Sequence, residues 1–115
     1  MRELYPGKNI VANPPDRPTE IICELQPASQ NPDSGIAIAV IDSSKPHFHR
    51  RTTEEYIVLK GTLELHLDGT KEILNKGEQA VILPGKIHCA KGNETWVVVV
   101  SRPAWTPEDH YEIEL

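Results

Sequence analysis

The chain has 115 residues, a formal charge of −5 at pH 7 and no cluster of lysine or arginine. This length suits one domain with a single modest core, so we expect residues 1–115 to form one unit. The acidic balance argues against a nucleic-acid partner, because phosphate backbones are bound by a dense positive surface. No apolar run approaches the ~20 residues that cross a bilayer, and the first residues lack an apolar signal core. We therefore expect a cytoplasmic protein without a membrane partner.

Short β-type runs follow one another along the chain, separated by turn-prone clusters. They are rich in β-branched and aliphatic residues, and some alternate apolar with polar positions. The predicted strands cover residues 19–25, 35–41, 55–59, 62–67, 71–74, 79–83, 87–90 and 95–101. Ten prolines and the lack of a helical period argue against internal helices. The pattern predicts an all-β sandwich or small barrel.

The turns between these strands have recognisable residues. Asp68-Gly69 supplies the positive φ angles that a two-residue hairpin needs, so it should join the strand at 62–67 to the one at 71–74. The clusters "NKGE", "PGK" and "KGNE" predict further hairpin turns.

Both ends of the chain differ from this pattern. "NPPDRP", residues 13–18, predicts a polyproline-like segment, within an extended N-terminal arm of about residues 1–18 that lies on the barrel or on a neighbour. Near the other end, Thr106 and Pro107 followed by Asp109 predict a single helical turn with a capping hydroxyl.

Several polar side chains could converge on one point. In a strand, residues two apart share a side, so His47 and His49 can face the interior together. By the same count Glu54 shares a face with Tyr56, while Glu55 faces the other way. If the two strands are hairpin neighbours, the imidazoles and one carboxylate meet. A lone histidine is more often a surface or hydrogen-bonded core residue, so the pair alone does not decide for a metal site.

The order of these residues resembles a known family. His47-x-His49-x4-Glu54-x6-Gly61 is similar to the first sequence motif of the cupin superfamily. After a further fifteen residues, Gly77-x7-Gly85-x2-His88 is similar to the second motif. One departure is Leu83, where that motif often has proline, with Pro84 next to Gly85 instead. The resemblance covers residues 47–88 and extends through the flanking strands.

This resemblance implies an antiparallel double-stranded β-helix, the jelly-roll barrel of the cupins, with a core of about residues 35–101. It also implies one divalent transition metal per chain, held by His47, His49, Glu54 and His88. Three neutral imidazoles and one carboxylate suit Fe, Mn, Ni, Co, Cu or Zn, and they leave one or two coordination positions free. An open position is what permits chemistry at a metal.

Other residues are weaker candidates for the site. Tyr56 shares the inward face of Glu54, where its hydroxyl could reach a substrate, although packing is the more ordinary role. Arg50, Arg51 and Lys86 could attract an anionic substrate near the barrel mouth, although charged loop residues need no function.

Three residues with reactive side chains receive no role. His66 alternates with leucines and should be exposed, His110 lies in the C-terminal tail, and Cys89 should point away from the interior by strand alternation.

The resulting functional hypothesis is a small mononuclear metal enzyme acting on a small oxygen-bearing substrate. Either a dioxygenase-type oxidoreductase or an isomerase or epimerase fits, with Glu54 and Tyr56 as catalytic candidates. The alternative is a non-catalytic module that binds a small ligand, because the fold and the ligand set do not fix a reaction. The resemblance also implies a homodimer, and outward Ile57 and Leu59 are candidates for its interface.

Overall fold

The computed structural model describes residues 9–13 and 18–113, and all structural statements refer to these residues. They form ten strands and one 3₁₀-helix, Pro107–Asp109. The strands are β1 Asn9–Asn13, β2 Glu20–Gln26, β3 Gly35–Ser43, β4 His47–Phe48, β5 Thr53–Lys60, β6 Leu63–Leu67, β7 Thr70–Leu74, β8 Gln79–Ile82, β9 His88–Arg102 and β10 Tyr111–Glu112. All strand pairs are antiparallel, which confirms the predicted all-β jelly-roll barrel. No helix in this described part of the chain is long and apolar enough to cross a membrane.

Strand β9 joins the two layers of the barrel, because it pairs with four other strands. Its C-terminal half lies between β3 and β5, where Val97 stands opposite Ala39 and Val58. Its N-terminal part lies between β4 and β6, where His88 stands opposite His47. Strands β1, β2 and β8 extend the first layer, and β7 and β10 extend the second. The layers curl around one interior.

The turn-prone segment 91–94 lies inside β9, so the predicted hairpin there is wrong. At this point three residues of β9 stand opposite a single residue of β3, which is a β-bulge. Glu94 has a φ of 47°, and a Cβ on Gly92 would lie 2.9 Å from the carbonyl oxygen of Ile41. The same residue types favour a hairpin and a bulge, and the bulge lets one long strand serve both layers.

The other predicted strands are present, with small changes at their ends. The hairpin between β6 and β7 is confirmed, since Asp68 and Gly69 both have positive φ angles, 47° and 84°. Residues 9–13 of the predicted N-terminal arm form β1, which pairs with β2 of the same chain. The predicted polyproline segment falls mainly on residues 14–17, which lie outside the described residues.

The apolar core fills the barrel on the far side of the histidines. Its fully buried members come from five strands and include Ile41, Val58, Leu63, Leu65, Ile82 and Val97. The predicted alternation along β5 agrees with the burial, because Glu54, Tyr56 and Val58 are buried whereas Leu59 is exposed. The interior is therefore apolar at one end and polar at the other. The polar end contains the inward side chains near the start of β5 and of β9.

Candidate metal centre

The four residues predicted to bind a metal lie together inside the barrel. His47 is on β4, His49 follows it, Glu54 is on β5 and His88 is the first residue of β9. One nitrogen or carboxylate oxygen from each lies within 4.8 Å of the others, and all four side chains are buried. The strands β4 and β5 are not hydrogen-bonded neighbours as the hairpin hypothesis supposed, because β4 pairs with β9 and β10.

A buried carboxylate, which the sequence analysis placed only in the predicted helical turn, shapes the loop from β4 to β5. Asp109 accepts hydrogen bonds from the backbone N–H groups of Arg50 at 2.8 Å, Arg51 at 3.1 Å and Thr52 at 3.1 Å. These bonds outweigh burial and keep the pKa of Asp109 below its ordinary value. The predicted helical turn is present, but the hydroxyl of Thr106 makes no capping bond. The turn instead brings Asp109 under the loop.

Each of the three histidines donates its Nδ1 proton to a backbone carbonyl. His47 donates to Lys45 at 2.8 Å, and His88 donates to Lys86 at 3.1 Å. His49 donates to Asp109 at 2.7 Å. A carbonyl oxygen can only accept, so these contacts assign the proton of each neutral ring to Nδ1. Each Nε2 therefore keeps a lone pair that can bind a metal ion. Metal-binding histidines in proteins almost always donate a hydrogen bond from the other ring nitrogen, as these three do.

The Nε2 atoms meet a carboxylate that also has only lone pairs to offer. The nitrogens of His49 and His88 lie 3.0 Å and 3.1 Å from the same oxygen of Glu54. Groups that only accept repel one another at this distance unless a cation lies among them. Extra protons would have to charge buried imidazoles, whereas one divalent ion satisfies all the lone pairs. The residues present therefore fit a transition metal.

Charge in this group is strongly coupled. Burial alone would lower the pKa of His49, but the protonated ring would donate from Nε2 to Glu54, and this raises that pKa above the ordinary value. Burial alone would raise the pKa of Glu54, but hydrogen bonds from the protonated forms of His49 and His88 would favour the carboxylate, and this holds that pKa well below its usual range. Burial, and then the neighbouring His88, lowers the pKa of His47 to about 3. The centre thus combines an anionic carboxylate with imidazoles that can act as ligands.

His88 follows a turn at the predicted position, but β8 pairs with β5 and not with β7 or β9, so the hairpins predicted at "NKGE" and "PGK" are wrong. Gly85 has a φ of 84°, and its N–H donates to the carbonyl of His49 at 2.6 Å. Asp68 accepts a hydrogen bond from the N–H of Ile87 at 2.9 Å, which ties the β6–β7 hairpin to the same turn. The departure at Leu83 therefore leaves the turn intact, with Leu83 itself exposed.

Two further groups that can carry a proton face the cavity beside the centre. Burial, and then the charge of Glu54, raises the pKa of Tyr56 well above its ordinary value, so its phenol stays protonated. The same two causes raise the pKa of Glu20, on β2, to about 7. Sequence reasoning missed Glu20, although the alternation of Glu20, Ile22 and Glu24 along one face of a strand was visible.

The C-terminal tail belongs to the site, contrary to the prediction for His110. Its ring stacks on His47 at 4.5 Å between centroids, with 16° between the planes. Its Nδ1 accepts a hydrogen bond from the indole N–H of Trp105 at 3.2 Å. Strand β10 places both residues here by pairing with β4, and no sequence motif signals a contact across 60 residues.

A cavity of about 300 Å³ opens next to the four candidate ligands. His47, His49, Glu54 and Tyr56 are on its wall, together with residues of β2, β3, β9 and the C-terminal segment. This volume is at the lower end of the range for small-molecule sites. The site therefore has both a set of ligand atoms and space for a compact molecule.

The basic residues suggested for the cavity mouth do not line the cavity. Lys86 pairs with Asp68 at 3.3 Å, and the guanidinium of Arg50 lies 4.7 Å from the ring centre of Tyr111. Arg51 is exposed and is also absent from the wall among the described residues. The proposed attraction of an anionic substrate has no support from their positions.

The remaining reactive side chains stay outside the site. His66 lies 2.8 Å from Glu64, on the outer side of β6. Cys89 stands opposite His66 in the neighbouring strand, and burial raises the pKa of its thiol, which disfavours a reactive thiolate.

Comparison with known proteins agrees with this fold. The cupin domain family matches residues 37–101. An uncharacterized protein of Aquifex aeolicus (strain VF5) is 30% identical over 84 residues, which are 71% of this chain and 69% of that protein. A Streptomyces PAC13 variant solved with uridine is 12% identical with a TM-score of 0.80, over 94% of this chain and 86% of that one. The polyketide cyclase RemF from Streptomyces resistomycificus is 22% identical with a TM-score of 0.72, over 95% and 82%. The chain belongs to the cupin domain family.

Proposed function

We propose that this protein is a small mononuclear metalloenzyme that acts on a small oxygen-bearing substrate. The metal ion would be held by His47, His49, Glu54 and His88. The observation that carries this proposal is the set of three Nδ1–H bonds to backbone carbonyls, because they leave the Nε2 lone pairs of His49 and His88 facing one oxygen of Glu54, in a group that also contains a ligand atom of His47. A purely structural role for four buried groups without a cation would carry a large desolvation cost.

When bound, the metal ion would supply Lewis-acid chemistry or, as Fe(II), the activation of oxygen. The chain's own residues have separate tasks. Tyr56 donates a hydrogen bond to a substrate oxygen, and Glu20 takes up or releases a proton, since burial raises the pKa of its carboxyl group toward neutrality. The apolar wall excludes water from the bound substrate. These roles suit an isomerase or a dioxygenase-type reaction.

The presence of proton carriers favours an enzyme over a ligand-binding module. A storage or carrier site needs only complementary contacts, whereas this cavity has a protonated phenol and a carboxyl group that titrates near neutrality. Two similar structures are described as a nucleoside dehydratase and a polyketide cyclase, which supports catalysis without assigning either reaction to this chain.

Metal content tests the centre. We expect protein purified without chelator to hold about one transition-metal ion per chain and His49→Ala to lose most of it, because one of four ligand positions disappears. His66→Ala is the matched control, since it removes a histidine from the outer surface. Elemental analysis by mass spectrometry gives the stoichiometry. Full metal content in His49→Ala would contradict the assigned ligands.

The contribution of the loop between β4 and β5 to metal binding can be tested with a substitution at Asp109. Asp109→Asn should weaken metal binding about 10- to 100-fold, because the loop that carries His49 loses charged acceptors for three N–H groups. Glu108→Gln, an exposed acid on the same 3₁₀-helix, should leave the affinity unchanged. Competition against a chromophoric chelator measures both, and equal affinities would exclude the positioning role of Asp109.

Turnover separates an enzyme from a binding module. Metal-loaded protein should convert at least one member of a panel of small carbonyl, enediol and polyol compounds, followed by NMR and by oxygen uptake for the Fe(II) form. His49→Ala should convert none of them. Tight binding of a panel member by the metal-loaded protein, with no conversion under any metal, would favour the binding module instead.

We also propose that the protein is a homodimer, joined through the outer face of the β2, β3, β9 and β5 layer. The accessible part of this face contains Val98 and Ile57, which stand opposite one another and are partly buried. Cys23 and Ile38 continue the same row but are already buried within the chain. Leu59 and Val81 lie on the same face and are exposed. A continuous apolar sheet face of this kind is typical of a surface that a partner covers.

Sedimentation at micromolar concentration tests the dimer. The unaltered protein should sediment as a dimer, and Ile57→Lys should sediment as a monomer with its metal retained, because a buried ammonium at the interface is costly. Ile73→Lys is the matched control, since Ile73 is exposed on β7 in the other layer. A monomer for the unaltered protein would contradict the proposed interface.

A further inference from the structure

The cavity wall is mainly apolar on the side away from the candidate ligands. Its apolar members come from four strands and the C-terminal segment and include Val11, Ile22, Ala37, Ala39, Val99 and Trp105. Such a wall favours a ligand with a largely apolar body, because each contact removes apolar surface from water.

The charged groups on this wall are carboxyl groups. Glu20 and Glu24 project from β2, Glu112 projects from β10, and Glu54 belongs to the metal centre. Among the described residues of the wall there is no lysine or arginine. Glu112 has a distant partner, since its carboxylate lies 3.9 Å from the ammonium of the exposed Lys45. Within residues 9–13 and 18–113, neither Glu20 nor Glu24 forms an ion pair with a lysine or arginine.

A bound divalent ion would not make the net charge of the cavity positive. Three neutral imidazoles and one carboxylate would leave a single positive charge on the centre, whereas three more carboxyl groups line the same cavity. Burial, and then the charge of Glu54, raises the pKa of Glu20 to about 7, which reduces the negative charge that Glu20 contributes near neutral pH. The space where the body of a substrate lies is therefore neutral to negative.

We propose that the cavity selects an uncharged or cationic substrate with a largely apolar body, and that Glu20 and Glu24 are the specificity residues that exclude anions. Phenolic, carbonyl and hydroxyl compounds without a carboxylate or phosphate group belong to this class. The inference rests on the proposed function, because it takes the substrate to occupy the cavity beside the metal centre. At about 8 Å, one added negative charge on the ligand costs about 6- to 30-fold in affinity per carboxylate.

Three catechols of similar size test this selection, since all can chelate a metal and they differ in the charge at the far end. They are 4-methylcatechol, which is neutral, dopamine, which is cationic, and 3,4-dihydroxyphenylacetate, which is anionic. Calorimetric titration of Zn(II)-loaded protein without oxygen gives the three dissociation constants. We expect dopamine and 4-methylcatechol to bind at least tenfold more tightly than 3,4-dihydroxyphenylacetate.

Substitutions at Glu20 and Glu24 test whether these two residues cause the preference among the catechols. In Glu24→Gln the preference for dopamine over 3,4-dihydroxyphenylacetate should fall about 6- to 30-fold, and it should fall further when Glu20→Gln is added. Glu72→Gln, an exposed acid on β7, makes the same change in net charge and should leave the preference unaltered.

The possible failures can be told apart. Lack of stoichiometric Zn(II), measured before the titration, contradicts the proposed function itself. Normal Zn(II) content with equal affinities, with a preference for the anion, or with no binding of the neutral and cationic catechols, contradicts only the substrate class. A preference that survives both substitutions contradicts the role of Glu20 and Glu24.

Discussion

The candidate site depends on one constraint, which is that the Nδ1 proton of each inward histidine is bound by a backbone carbonyl. Lys45, Lys86 and Asp109 supply these carbonyls, so rigid backbone rather than mobile side chains fixes the tautomers. The Nε2 atoms of His49 and His88 are then acceptors that face an anionic carboxylate. Such a group is unfavourable without a cation and favourable with one.

Positions far apart in the chain maintain this arrangement. The bulge at Gly92 bends β9, so that one strand carries His88 in one layer and the partners of β5 in the other. The 3₁₀-helix brings Asp109 beneath the loop between β4 and β5. The layer that contains Glu54 is also unusual in its polarity, because β2 presents carboxyl groups to the cavity and apolar side chains to the opposite face of the sheet. The proposed substrate selection and the proposed dimer follow from these two faces of the same strand.

Local sequence patterns predicted much of the fold and of the candidate site. The predictions that were wrong, and the residues that were missed, have physical explanations. Strand alternation distinguished Glu54 from Glu55, and motif spacing brought His88 to the same group. A single sequence does not distinguish a bulge from a hairpin, because glycine and asparagine allow both, so β9 was divided in two. Asp109 and His110 act through contacts with residues some 60 positions earlier, and their local sequence predicts only a turn of helix. Glu20 has a shifted pKa only because the folded barrel buries it near Glu54.

The most direct measurement is the protonation of the imidazole nitrogens. Long-range ¹H–¹⁵N NMR spectra of the Zn(II)-loaded protein report which ring nitrogen carries the proton and which carries the metal. For His47, His49 and His88 the proposed centre requires a protonated Nδ1 and a metal-bound Nε2, while His66 should be unaffected by the metal. A protonated Nε2 on any of the three, or spectra that are identical with and without Zn(II), would contradict the metal centre.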